Sequence, residues 1–184
     1  MKTRLLLFTV FGGLLSIGQA YSQCTPNNCV GSLPAYGGIC DTNLTDATVD
    51  QSYSDFESFH TVSNCFDFGL INSAGAGTYV RITMVDNFSY SGMPVGISGT
   101  TNQTSYTSPS NGCVSFSGTP KESGEFEIEV DFDGDFEVMA SSSCNTVIAT
   151  QNDNALEYLL RLVVLPDPSF SISETDYCLN DSPG

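Results

Sequence analysis

Apolar and polar residues alternate most strictly between residues 111 and 140. Val114 and Phe116 are separated by Ser115 and Ser117, and Gly118-Thr119-Pro120 then breaks the run. After Ser123-Gly124, Phe126, Ile128, Val130 and Phe132 alternate with Glu125, Glu127, Glu129 and Asp131. A period of two with one wet and one dry face predicts a strand, a connection and a second strand. The dry positions continue through Gly134, Phe136, Val138 and Ala140. Two geometries keep the acids in water: a hairpin with a three-residue Asp133-Gly134-Asp135 loop, or one long strand bulged at Gly134.

The same reading gives the other elements. Residues 78–85 (TYVRITMV) predict a strand with Val80, Ile82 and Met84 on one face. Residues 47–60 predict a short, irregular edge strand carrying Val49, Tyr53 and Phe56. Residues 98–112 (SGTTNQTSYTSPSNG) read as a surface loop. Residues 146–150 read as a short strand and 151–154 as a turn; residues 155–165 (ALEYLLRLVVL) read as a buried strand. Many short strands between turn signals predict an all-β chain, an Ig-like antiparallel β-sandwich.

The ends read differently. Residues 1–20 have Lys2 and Arg4, an apolar run and small residues at Gly18 and Ala20. That is the pattern of a secretory signal, with an apolar run too short for a membrane span. Cleavage after Ala20 or Ser22 fits, and Gln23 disfavours a lipoprotein cut before Cys24. Residues 21–39 form a Cys-, Pro- and Gly-rich leader, residues 40–165 the sandwich, and residues 166–169 a proline-stiffened linker. Residues 170–184 start another alternating strand, and the expectation is that they begin a following Ig-like or PKD-like repeat.

Seven cysteines follow the signal. Disulfides are the expected state of cysteines in an exported chain, and the spacings do not suit zinc. With Cys178 assigned to a partner in the following repeat, the expected pairs are Cys24–Cys29, Cys40–Cys113 and Cys65–Cys144.

Charge narrows the function. The chain carries a formal −16. Without Lys2 and Arg4 three cations face 21 carboxylates, giving 3 − 21 = −18. Such a surface repels nucleic acid and anionic lipid. Asp131, Asp133 and Asp135 are candidate calcium ligands, since hard cations take carboxylate oxygens. The spacing is not that of an EF-hand, because Gly134 precedes the third acid. His60 is the single histidine and no GxSxG element occurs, so no catalytic residue is assigned and the chain is expected not to be an enzyme.

Three segments carry a family resemblance. MPVGI at Met93 is similar to an "LPPGL" step, with Val95 in place of the second proline. CVSFSGTP at Cys113, followed by SGEF at Ser123, resembles an "ISGTPT…AGTY" signature. The stretch from Ile39 to Tyr53 resembles a "CPD…LP-x-ATVGQPYS" opening. In that order these mark Ig-like domains of the cadherin-like, dystroglycan type in secreted Bacteroidetes proteins, over about residues 40–165. The resemblance implies an Ig-like sandwich outside the cell, often in proteins exported by type IX secretion through a C-terminal sorting domain, and no catalytic residues. It implies a structural or cell-adhesion module whose partners are neighbouring Ig-like domains and surface glycans or proteins. The alternative is a calcium- or glycan-binding accessory module of a secreted enzyme.

Overall fold

In the computed structural model, residues 24–29 and 33–169 are described. The expected signal, Cys178 and the start of a following repeat lie outside them. The described residues form ten strands: β1 (Gly37–Ile39), β2 (Ala47–Thr48), β3 (Tyr53–Thr61), β4 (Phe66–Asp67), β5 (Tyr79–Ser91), β6 (Ile97–Thr101), β7 (Ser105–Thr107), β8 (Ser110–Gly118), β9 (Gly124–Met139) and β10 (Val147–Leu165). One sheet runs β1-β3-β8-β6, and the other runs β2-β10-β9-β5-β4 with β7 also on β5. Every pair is antiparallel except β2 with β10, which is parallel. The chain is all-β and sandwich-like. Phe59, Val114 and Phe116 of the first sheet share one apolar core with Ile128, Val130, Leu160 and Leu162 of the second.

The alternation in β9 holds as far as Val138 and then breaks, with Met139 buried and the expected inward Ala140 exposed beyond the strand. Ile128, Val130, Phe132, Gly134 and Phe136 are all buried. Of the two expected geometries the single long strand is the one formed, the 16-residue β9, but without a bulge of its own at Gly134. Its neighbours bulge instead: β5 gains a residue between Ile82 and Met84 and another between Asp86 and Ser89, and β10 gains one between Gln151 and Asn154. Each bulge moves the inward face by one residue. In β5 the buried side passes from Val80 and Ile82 to Val85, so Met84 does not share their face as the sequence suggested. Asn87 and Asp153 take the left-handed conformation at two of these bulges, with φ of 54° and 55°. Both are residue types that tolerate it. The expected turn at 151–154 is therefore an irregularity within one 19-residue strand.

The expected loop at 98–112 contains β6 and β7. Tyr106 turns inward from β7 and is almost wholly buried. Its hydroxyl donates to Asn102 Oδ1 at 2.6 Å and accepts from the Gln103 N–H at 3.0 Å, which satisfies the buried polar tip. Serines and threonines around this tyrosine hid the strand.

The three segments behind the family resemblance meet at one end of the sheets. Gly96 and Gly118 have φ of 94° and 146°, and a Cβ on either would lie 2.1 Å or less from a backbone carbonyl oxygen of the other segment. Only glycine fits both conformation and approach. The Thr119 N–H donates to Gly96 O, the Lys121 N–H to Val95 O, and the Asp50 N–H to Pro120 O, each at 2.9 Å. Lys121 also pairs with the Asp50 carboxylate at 2.8 Å.

Three disulfides are present: Cys24–Cys113, Cys29–Cys40 and Cys65–Cys144. The third is the expected pair; the first two correct Cys24–Cys29 and Cys40–Cys113. The reason is strand order. Cys113 stands opposite Ser58 across β3–β8, while the Cys40 N–H bonds Ser58 O from the other side of β3. Two strand spacings, about 9.5 Å, then separate Cys40 from Cys113, beyond a disulfide's reach. The leader crosses the outer face of β3 instead, and the Asn27 N–H donates to Ser58 Oγ at 2.8 Å. Part of the expected leader is itself sheet, since β1 pairs with β3. Three disulfides belong to an oxidising compartment. Among the described residues no helix is long and apolar enough to cross a membrane.

Candidate functional site

The outer face of β9 presents a column of acids: Glu125, Glu127, Glu129, Asp131, Asp133, Asp135 and Glu137. Period-two geometry puts them all on the side away from the core. The two ends are neutralised. Arg161 of β10 pairs with Glu125, and Arg81 of β5 pairs with Glu137.

The middle of the column divides in two. Asp131 lies with Glu129 and Glu157, one carboxylate oxygen from each within 4.8 Å of the others. This trio includes one of the three sequence-derived candidates and brings in Glu157 from β10, whose residue Glu157 registers opposite Asp131. Asp133 and Asp135 belong to a second group with Asp86 and Asp153. Asn87 Nδ2 donates to Asp133 at 3.0 Å, and the Asp153 N–H donates to Asp135 Oδ1 at 3.1 Å. Burial, then the charges of Asp135, Asp133 and Asp153, push the Asp86 carboxyl upward. Linear spacing joined Asp131, Asp133 and Asp135; cross-strand register separates the first from the other two. Trios of carboxylates offer hard oxygen donors suited to calcium.

On the opposite, inner side of β9, an apolar cavity of about 220 Å³ opens between the sheets. Tyr36, Ile39 and Phe59 line one side, and Phe132, Leu156 and Tyr158 the other. Tyr158 stacks on Phe132 with ring centroids 5.5 Å apart. Burial, reinforced by nearby Tyr36, pushes the Tyr158 hydroxyl up to about 12, so it stays protonated and hydrogen-bond-donating. His60 borders the cavity, and its Nδ1 meets Asn111 Oδ1.

Two acids escaped the sequence reading. Tyr53, Asp55, Glu57 and Phe59 share the inner face of β3, where Asp55 registers with Phe116 and Glu57 with Val114. The Thr45 N–H and hydroxyl both donate to Asp55 Oδ2 at 2.7 Å. Burial, then Asp41 and Asp55, push the Glu57 carboxyl up to about 7. The signal was the alternation from Tyr53 to Phe59; reading the segment as a short, irregular strand carrying Val49, Tyr53 and Phe56 hid it.

No family model matches the chain, and no curated protein does. Among solved structures it is similar to the secreted serine protease VesC from Vibrio cholerae, with a TM-score of 0.33 and 13% identity. That likeness covers 67% of this chain and 23% of the protease, so the chain spans less than a quarter of the protein it matches.

Proposed function

We propose that the chain is a non-catalytic structural or adhesive Ig-like module of a secreted or cell-surface multidomain bacterial protein. The observation that supports this reading is the path of the first strands. β1 lies on β3 in one sheet, and β2 lies parallel to β10 in the other. The remaining orders, β3-β8-β6 and β10-β9-β5, follow the B-E-D and G-F-C neighbours of an immunoglobulin sandwich. The three converging motif segments serve the architecture at one end of that sandwich, as the resemblance to cadherin-like, dystroglycan-type domains implies. Surface display and adhesion are tested together in the cells that make the protein. Protease shaving of intact cells should release it, and deleting it should reduce attachment to a coated surface. Recovery with reduced cysteines in the cytosol would overturn the reading.

A calcium-binding accessory module is the second reading, supported by the gathering of Glu129, Asp131 and Glu157. Millimolar calcium should then raise the melting temperature by a few degrees, and Glu157→Gln should abolish the rise. An identical melting temperature in calcium and in chelator would end this reading.

A further inference from the structure

β10 pairs with β9 from Val147 to Val164, but among the described residues its opposite side is covered only near the C-terminal end. β2 meets Val164 and Leu165. The Arg161 N–H donates to Thr42 O at 2.7 Å, and Arg161 O accepts from the Leu44 N–H at 2.9 Å. The backbone of Arg161 therefore points away from β9. In an antiparallel ladder both groups of a residue point the same way and residues alternate. Leu159, Glu157 and Ala155 consequently also point their N–H and C=O groups outward, and among the described residues no backbone group meets them.

A bulge interrupts this edge before Asn154, but from Asn154 to Leu160 it pairs regularly and lacks the basic residues and prolines that commonly block edges. Residues 147–160 contain no Lys, Arg or Pro. Ile148 is 64% exposed and Leu159 45% exposed. Long edges without such residues are templates for added strands. The inward side of an added strand would face the cavity behind Leu156 and Tyr158, which has room for an apolar side chain. Its outward side would lie beside Glu157, whose carboxylate sits with those of Glu129 and Asp131. The nearby Arg161 is committed to Glu125.

We propose that the free edge of β10 around residues 155–159 accepts an extended segment of a partner protein with alternating apolar and basic side chains. Main-chain bonds supply the affinity, and the cavity and the carboxylates select the two kinds of side chain. Charge argues against a second copy of this chain, which would bring another −16 and set its own Asp153 and Glu157 against this edge. A strand-accepting edge gives the adhesive module its partner class, and rests on that reading for its setting.

The test uses the purified, oxidised chain and a capped nine-residue peptide of alternating Lys and Val. Calorimetry measures binding, and amide hydrogen exchange locates it. The expected result is saturable binding with exchange slowed at Glu157 and Leu159. A Glu/Val peptide should bind at least about tenfold more weakly, as should a Lys/Val peptide N-methylated at the amides that face β10. Leu159→Pro removes an outward donor at a position where an edge strand tolerates proline, and should weaken binding about tenfold. Absence of binding, or binding without slowed exchange at those amides, would overturn the proposal. So would a dimer of the free protein in which they are already protected. Because the assay uses purified protein, its failure leaves surface display untouched, and a cytosolic location would leave the binding result standing.

Discussion

Glu57→Gln tests the packing at the rim where the chain leaves β1 for β2. Glu57 faces inward between two apolar neighbours of the same face, Phe59 and the fully buried Val114. Burial is the main cause of its upward displacement, and Asp41 and Asp55 add like charge. The carboxyl titrates near 4.5 when free and at about 7 here. Its proton is held more tightly in the folded chain, so its stabilising contribution is complete below pH 4.5. That contribution is lost as pH rises through 7. At 1.36 kcal/mol per pH unit the interval corresponds to about 3 kcal/mol. Solvent reaching the half-buried group lowers this to about 1–2 kcal/mol. Glutamine keeps the shape and cannot ionise. Urea unfolding followed by circular dichroism at pH 4, 5, 6, 7 and 8 should show near-equal stabilities at pH 4. By pH 8 the variant should be more stable by about 1–2 kcal/mol. A difference that is constant with pH, or a variant less stable at pH 8, would refute the inward placement of this carboxyl.

Two further substitutions probe the packing of the first sheet. Cys24→Ser with Cys113→Ala opens a bridge of sequence separation 89, and loop entropy sets the expected loss in urea unfolding at about 4.6 kcal/mol. A loss under about 1 kcal/mol would contradict that value, while non-reducing peptide mapping that joins Cys24 to Cys29 would contradict the pairing. In Gly112→Ala the new Cβ would stand 2.2 Å from Phe59 Cζ and 2.6 Å from Tyr106 Cε1. Such overpacking should cost about 1–3 kcal/mol, read as a lower melting temperature, and an unchanged one would show that the ring cluster yields freely.

The central strand was legible and its neighbours were not, for a physical reason. β9 lies between β5 and β10 with one dry face, so its own side chains record its period directly. A bulge in β5 or β10 is fixed by register against β9, and the bulged strand's sequence shows only a change of parity. Asn87 and Asp153, the residues that allow the left-handed bulges, also read as turn or surface residues, which is how residues 151–154 became an expected turn. Disulfide pairing failed similarly. The parity of Val114 and Phe116 already placed Cys113 outward, but only the order β1-β3-β8 puts Cys40 beyond its reach. The candidate site was half legible: alternation found Asp131, Asp133 and Asp135, while Glu129 was present in the same run and Glu157 joined through pairing.

The distribution of charge ties the site to the free edge. Arg81 and Arg161 neutralise the two ends of the β9 acid column, and Lys121 is held by Asp50 at the motif end of the sheets. Among the described residues the middle of the column has no cation. There Glu129, Asp131 and Glu157 crowd together, and burial with the charges of Asp135, Asp133 and Asp153 pushes the Asp86 carboxyl upward. Glu157 of that trio lies on the part of β10 whose outward N–H groups lack backbone partners among the described residues. A cation alone would relieve the charge and leave the backbone open; an apolar strand would do the reverse. An extended basic segment satisfies both, and for that reason its binding should weaken with salt without vanishing, because screening reaches the carboxylates and not the main-chain bonds.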